Sequence, residues 1–507
     1  MSKISLSMIV KNEESTLNRC LDSVKDIVDE IIIVDTGSTD NTIEVAKSFN
    51  AKIFSFNWSD DFSSARNFAL KNSSGDYILY LDADEILSSK SKKEVKDLTR
   101  INEKVGYICT ITSIDDFSNQ KNSIKYVRLF KNSENIEFRG KAHEQITESL
   151  IENGYKIKNS SVEIIHYGYN ISKEEKKKKA ERNLKLLLSD NSKLSDGYKY
   201  FQIGQSYFVL ENFIEAEKFF NLALNTKNLS KYFRAESFFY ISQIGHFNYD
   251  IDKSEKYILK AISINSNQPY YHYLYSKILQ RKKQFNEALK SLIKSYNLSS
   301  SSSKIMSDNL QIVYINEYET LLNIIELSFK VNDFNNLKFY SNELIKYLDK
   351  SSSNKSKAFK EIFNSFFRKD LIINDKKLLT EVVDEHNLNV ILSMIDKSFD
   401  HYNKKEIIYE LHKKFPTNTE LIKRLSLIYD SENNLTDAIK FLEDNSSLIE
   451  QDPACLFYLA SFYIKSNELR KALEIFNKIE EKFPKVFELN SNSKEIKSKI
   501  EKLLERS

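Results

Sequence analysis

Hydrophobic positions recur along this chain with two different rhythms. Up to about residue 170, short apolar runs alternate with amphipathic stretches. Ile4–Val10 has the pattern of a strand. Leu17, Cys20, Leu21 and Val24 then fall at i, i+3, i+4 and i+7, which predicts a helix within 12–28. Residues 31–34 (Ile-Ile-Ile-Val) form an unbroken apolar run, as expected of a strand covered on both faces. A cap at 39–42 precedes a helix whose inner face is Ile43, Ala46 and Phe49. Residues 52–54, 63–71 and 77–81 continue as strand, helix and strand. Such alternation predicts a mainly parallel sheet in a Rossmann-like α/β layer, whose ligands bind beyond the carboxyl ends of the strands.

Beyond residue 170 the period-two signal fades. Ser172-Lys173-Glu174-Glu175 has the spacing of a capping box, opening a helix that carries Ala180, Leu184, Leu187 and Leu188. Tyr200, Ile203, Gly204, Tyr207, Ala216, Phe220 and Ala223 then sit at the offsets of a tetratricopeptide repeat, with small residues where two helices cross. Ala288 with Leu292, Ala438 with Leu442, and Ala472 with Phe476 and Pro484 return to that register, and residues 231–269 thread as a weaker unit through Ser254 and Ala261. The predicted organisation is an α/β domain over 1–170, a linking helix over 171–195 and repeats over 196–300. Divergent helical repeats follow over 301–420, and further repeats over 421–507 complete an all-α solenoid. Serine-rich stretches at 299–303 and 351–353 are expected as loops between units.

Composition agrees with this division. Nine glycines and four prolines in 507 residues are too few for a turn-rich β architecture. The 75 basic and 72 acidic residues are interleaved, so net charge gives no reason to expect nucleic acid as a partner. The nearest basic run, 176–179, follows Glu174 and Glu175 and is expected to be a solvated helix face. Three scattered cysteines fit no metal-ligand spacing and suggest a reducing compartment. Neither a leader pattern nor an apolar run of membrane-spanning length is present, so a cytoplasmic location is expected.

The polar residues that stand out lie at predicted strand ends. Asp82-Ala83-Asp84-Glu85 closes the fourth strand, and two carboxylates at i and i+2 there suit a hard cation bridging phosphate oxygens, Mg²⁺ or Mn²⁺. A solvated turn is the alternative for any lone Asp-x-Asp. Asp35 ends the second strand before Thr36-Gly37-Ser38-Thr39-Asp40, where a carboxylate can recognise a base or ribose, or else close a turn.

Four ordered motifs together carry a resemblance: residues 7–14 (SMIVKNEE), 33–40 (IVDTGSTD), Trp58 with 60–67 (DDFSSARN), and 82–85 (DADE). With them the chain resembles the family 2 glycosyltransferases, and more narrowly the bacterial members bearing a C-terminal tetratricopeptide arm, some of which modify flagellins or bacteriocins. The resemblance implies a GT-A fold for the first domain. It implies that Ile9, Val10, Lys11, Glu13 and Asp35 hold the uridine of a UDP-sugar and that Arg66 reaches the base or diphosphate. By the same resemblance Asp82 approaches the ribose or the metal, and Asp84 coordinates Mn²⁺ or Mg²⁺. Many members have a second aspartate where this chain has Thr36. The segment 138–144 (FRGKAHE) resembles the histidine–glutamate element of the subfamily. It makes Glu144 the implied base for an inverting displacement, with Asp116 in the Asp115-Asp116 pair as rival and an ordinary surface acid as the bland alternative. His166, ending the last predicted strand, is implied as a further metal ligand, or is a satisfied histidine at a domain junction.

These expectations converge on a metal-dependent transferase that moves a sugar, GlcNAc or glucose, from a UDP-sugar to a protein or peptide side chain held partly by the repeats. A homodimer through the repeats is left open. A polysaccharide or lipid-linked acceptor is the alternative of the same class, and a non-catalytic repeat adaptor the alternative of another class. With no basic residue in the Asp82–Asp84 stretch, the metal is expected to neutralise the diphosphate.

Overall fold

The computed structural model describes residues 2–114, 121–167, 172–191, 195–227, 229–300, 311–313, 315–350, 354–368, 382–398 and 401–505. Asp116 and the serines at 301–303 and 351–353 lie outside them. The chain divides into two units, Met1–Thr320 and Leu321–Ser507.

In the first unit the apolar runs become β1 (Ile4–Val10), β2 (Glu30–Asp35), β3 (Lys52–Ser55) and β4 (Tyr77–Tyr80), with α1 (Leu17–Val24), α2 (Thr42–Ser48) and α3 (Phe62–Lys71) between them. Strand β1 runs parallel to β2 and β4 on either side, and β2 runs parallel to β3. Leu6, Ile32, Ile33, Ile78 and Leu79 are fully buried, because helices or loops cover both faces. The parallel arrangement stops at β4. Strands β5 (Glu85–Leu87), β6 (Val105–Ile114), β7 (Lys121–Lys131) and β8 (Lys156–His166) extend the sheet in the order β3-β2-β1-β4-β7-β6-β8-β5. There β7 is antiparallel to both β4 and β6, and β5 to β8. The sheet is therefore mixed, because β6 is followed directly by β7 without the helical crossover that parallel neighbours require. Since β6 and β8 are parallel, both point the same way as β4. The ends of β1, β2, β4, β6 and β8 therefore share one edge. Helices α4 (Ser91–Leu98) and α5 (Thr147–Glu152) complete this layer.

Helix α6 (Lys173–Leu188) opens with the predicted capping box, Ser172 Oγ accepting from Glu175 N–H and the Glu175 carboxylate from Ser172 N–H. Its inner face differs by one position from the sequence pattern. Leu186 and Leu187 are buried, while Leu188 is exposed. Helices α7 (Asp196–Val209) to α12 (Phe285–Ser300) pack as consecutive pairs. At the first crossing, a Cβ on Gly204 would stand 2.8 Å from the Phe220 ring, which explains the glycine. Ala216, Ala223, Ala261 and Ala288 are likewise fully buried.

One element departs from the helical expectation for 301–420. β9 (Gln311–Val313) pairs antiparallel with residues 122–124 of β7, so the repeat region returns a strand to the N-terminal sheet. In the second unit, Ala438, Leu442, Ala472 and Phe476 share a core with Leu456, Leu459 and Phe462, and Pro484 begins a new helix. Among the described residues no helix is long and apolar enough to cross a membrane. All three cysteines are buried free thiols.

Candidate active site

Two loops at the carboxyl edge are tied to each other. Asn12 adopts a left-handed φ of 58°, and its Oδ1 accepts the Thr39 N–H at 2.7 Å while its own N–H donates to Ser38 Oγ at 3.0 Å. Glu13 N–H donates to Thr42 Oγ1 at 2.7 Å, and the buried Thr36 hydroxyl donates to the Val10 carbonyl at 3.0 Å. That last bond gives the Thr36 side chain a structural role in tying the two loops. Asp35 closes the turn, its carboxylate accepting from Ser38 N–H at 3.0 Å and Gly37 N–H at 3.3 Å, with Gly37 at φ 105°. The N-cap residue of α2, Asn41, makes no side-chain cap bond; Asp40 before it accepts the Thr42 N–H at 3.0 Å.

Below these loops lies a buried network of charges. Arg66, projecting from α3, donates from Nη2 to Asp82 Oδ1 at 2.6 Å and from Nε to Glu144 Oε1. Arg128 on β7 donates from one nitrogen to Glu85 Oε1 at 2.7 Å and to Asp82 Oδ2 at 3.3 Å, and its guanidinium lies 4.4 Å from the Tyr80 ring centre. Both oxygens of Asp82 thus accept from guanidinium groups. Burial works to raise its pKa, but Arg66 and Arg128 outweigh that and hold it well below the usual carboxylate range. Glu85 is buried and also accepts the Asp82 N–H at 2.8 Å. Nothing in the local sequence marked Arg128, a mid-strand residue brought in by the antiparallel β4–β7 pairing.

At the rim, Asp84 Oδ2 and His166 Nε2 are 2.9 Å apart, and His166 Nδ1 lies 3.1 Å from Ser113 Oγ. Strand register brings this about, since Glu85 and Ser113 are the direct β partners of His166 on its two sides. Among the described residues no group of three or more His, Cys, Asp or Glu side chains is placed to hold a metal, so the protein offers a pair of ligands there. The second imidazole nitrogen is oriented by a hydroxyl, as metal-binding histidines require. The residues present therefore fit a divalent cation through Asp84 and His166, rather than through Asp82, whose oxygens are engaged.

Glu144 sits on a loop closed at its base by paired backbone bonds between Arg139 and Gln145. The motif residue Asn67 grips the segment before it: its Nδ2 donates to the Phe138 carbonyl at 2.9 Å, and its Oδ1 accepts the Phe138 N–H at 2.7 Å. Phe62 N–H donates to the Lys141 carbonyl at 3.0 Å, and Ala142 packs against Leu186, Leu187 and Ile203. Helix α3 on one side and α6 and α7 on the other thus set where Glu144 stands. Among the described residues its only hydrogen bond is the one from Arg66.

These parts enclose a cavity of about 590 Å³. Of the residues singled out in the sequence, Ile9, Val10, Lys11, Glu13, Arg66, Asp82, Asp84, Glu144 and His166 line it; Asp35 does not, although its neighbour Thr36 does. Glu13 faces Asp82 and Asp84, and burial together with those charges raises its pKa against the hydrogen bond from Thr16. Lys179, Arg182 and Asn183 of α6 also line the cavity. Lys179 is exposed, as expected of a solvated helix face, yet its stripe of α6 also lines the cavity, so cations reach the site from outside the Asp82–Asp84 stretch.

Residues 5–156 match the family described as Glycosyl transferase family 2. A TPR repeat-containing protein of Synechococcus elongatus is 36% identical over 213 residues, 40% of this chain and 52% of that one. The SPbeta prophage-derived glycosyltransferase SunS of Bacillus subtilis is 31% identical over 189 residues, 36% of this chain and 44% of SunS. The chain thus spans about half the length of the curated relatives it matches. Among solved structures, residues 1–349 of TarS from S. aureus align at 14% identity over 58% of this chain and 91% of that one, with a TM-score of 0.28. The family match, together with the α/β architecture that carries it, identifies the N-terminal domain as a family 2 glycosyltransferase domain, followed in this chain by a helical repeat region.

Proposed function

We propose that the chain transfers a sugar, GlcNAc or glucose, from a UDP-sugar to a side chain of a protein or peptide, with inversion at the anomeric carbon. The observation that carries this reading is the convergence, in one cavity at the carboxyl edge, of the Asp84–His166 pair, the guanidinium-held Asp82 and Glu144. The loops holding Ile9–Glu13 and Thr36 form the end of that cavity suited to the nucleoside, with Asp35 bracing the turn behind them. Asp84 and His166 would hold a divalent cation, Mn²⁺ or Mg²⁺, which would supply neutralisation of the diphosphate.

Glu144 is the base in this proposal. Its carboxylate takes the proton of an acceptor hydroxyl or thiol as that atom bonds to the anomeric carbon. The bond from the anomeric carbon to the β-phosphate oxygen breaks, and UDP leaves with the electron pair. Arg66 fixes the carboxylate in place, and Arg66 remains balanced by Asp82 once Glu144 is protonated. The repeats support a polypeptide acceptor because stacked helix pairs present a broad surface. Intact-mass analysis of candidate acceptors incubated with a panel of UDP-sugars tests the reading. A hexose or N-acetylhexosamine increment is expected. Hydrolysis of every UDP-sugar tried, with none reaching any polypeptide while a glycan acceptor is extended, would move the acceptor to the polysaccharide class.

A further inference from the structure

We infer that α6 forms a cationic wall that grips the diphosphate of the donor, with Lys179 and Arg182 as the residues in contact and Asn183 holding Arg182 in place. This rests on the UDP-sugar reading above and extends it to residues beyond position 156, where the family match ends.

Three observations carry it. Lys179, Arg182 and Asn183 stand at i, i+3 and i+4, so they project from one stripe of the helix, and all three line the donor cavity. The two cations are also held in no ion pair among the described residues, although Lys179 lies within electrostatic reach of Glu13 and Glu175. Lys173 and Lys177, on the neighbouring stripe, pair with Glu211 at 2.7 and 3.0 Å. Among the described residues, by contrast, Lys179, Arg182 and Lys11 across the cavity have no ion-pair partner. Finally, Arg182 is pre-positioned. Its guanidinium lies 5.3 Å from the Phe62 ring centre, and Nη2 and Nε donate to Asn183 Oδ1 at 3.2 and 3.3 Å. Asn183 in turn is 3.3 Å from His143 Nε2, beside Glu144.

The cavity is therefore polarised. Glu13 and Asp84 make one side acidic, while Asp82 is neutralised by its two arginines. The α6 side is positive. A neutral sugar or base has no use for such a wall, and a monophosphate would engage only part of it. A diphosphate can bridge from the Asp84–His166 cation site to Lys179 and Arg182. Charge builds on its oxygens as UDP leaves, so fixed cations there stabilise departure as well as binding. A guanidinium, with planar paired donors, suits phosphate oxygens particularly well.

The test is calorimetry on the full chain in Mg²⁺, titrating uridine, UMP and UDP into the wild type and a Lys179→Ala/Arg182→Ala variant. Both side chains are exposed on the helix, so the variant should unfold at the wild-type temperature. The expected result is a loss of UDP affinity of about 10- to 100-fold, with uridine and UMP changed far less. Arg182→Lys should recover part of the loss. A double variant that binds UDP as the wild type does overturns the inference and leaves the UDP-sugar reading standing. A wild type that binds none of the three, and no UDP-sugar, overturns both.

Discussion

Removing the Asn67 side chain should separate the fold of the catalytic domain from the placement of its proposed base. In Asn67→Ala, the Phe138 N–H and carbonyl lose partners at 2.7 and 2.9 Å, beside a ring that is 3% exposed and packed on Tyr80 and Phe130. Leaving two buried backbone groups unpaired costs about 1–3 kcal/mol each, less where water reaches the half-buried edge, so about 2–4 kcal/mol in all. At roughly 2 °C per kcal/mol for a unit of this size, unfolding should shift down by about 4–8 °C. The larger effect should be kinetic. Phe138 leads into the loop that presents Glu144, and a displacement on the order of 1 Å there would reduce kcat about 100-fold with UDP affinity intact. Asn67→Asp can still accept the Phe138 N–H but cannot donate to its carbonyl, and should fall between the two. Differential scanning calorimetry and steady-state transfer on the same preparations provide the readouts. An alanine variant melting within about 1 °C of wild type, with kcat within twofold, would refute the coupling of α3 to the Glu144 loop.

Further predictions address the chemistry and the repeats. Glu144→Gln retains an oxygen for Arg66 but cannot take a proton, so transfer should fall about 10²–10⁴-fold while UDP still binds; a crippled Asp116→Asn beside an active Glu144→Gln would reverse the assignment. Asp84→Asn should abolish Mn²⁺- or Mg²⁺-dependent turnover, as chelation does in the wild type, and full activity of that variant in excess chelator would remove the metal from the scheme. Glu236, buried between the Tyr270 and Tyr271 hydroxyls, has its pKa raised from 4.5 to about 7, chiefly by burial. Because the folded pKa is the higher one, the penalty is absent below about pH 4.5, grows as pH rises and is complete above about pH 7, where it reaches about 3 kcal/mol at most. Glu236→Gln should therefore gain stability over wild type at pH 8 and not at pH 4, and an equal difference at both values would count against the buried-charge argument.

Much of this molecule is legible in its sequence because local pattern and global fold agree there. The strands of the parallel half, the capping box at Ser172 and the small residues at repeat crossings follow from period and composition alone. The gathering of Asp82, Asp84, Arg66 and Glu144 in one cavity was implied by the family resemblance of their motifs rather than by period or composition. What escapes depends on long-range docking. Arg128 enters from the middle of β7, and Lys179 has the same local pattern as the solvated lysines around it. Which stripe of α6 faces the cavity is decided by how Leu186 and Leu187 seat on Ala142. A three-residue strand such as β9, inside an otherwise helical region, carries too few positions for any period to register.

That short strand has a consequence for how the protein is made. Its partner on β7 leaves the ribosome some ~190 residues earlier. At about 5–20 residues per second, the interval is about 10–40 s, far longer than strand pairing itself needs. Throughout it, the edge of β7 at residues 122–124 stands without the neighbour it will have in the finished sheet. An unpaired edge is a template for association with other chains. Synthesis of this glycosyltransferase domain should thus pass through a vulnerable stage that ends only when β9, which follows α12, has emerged. Chains cut or stalled between residues 170 and 310 should aggregate more readily than full-length ones, and a binder of exposed strand edges should rescue them.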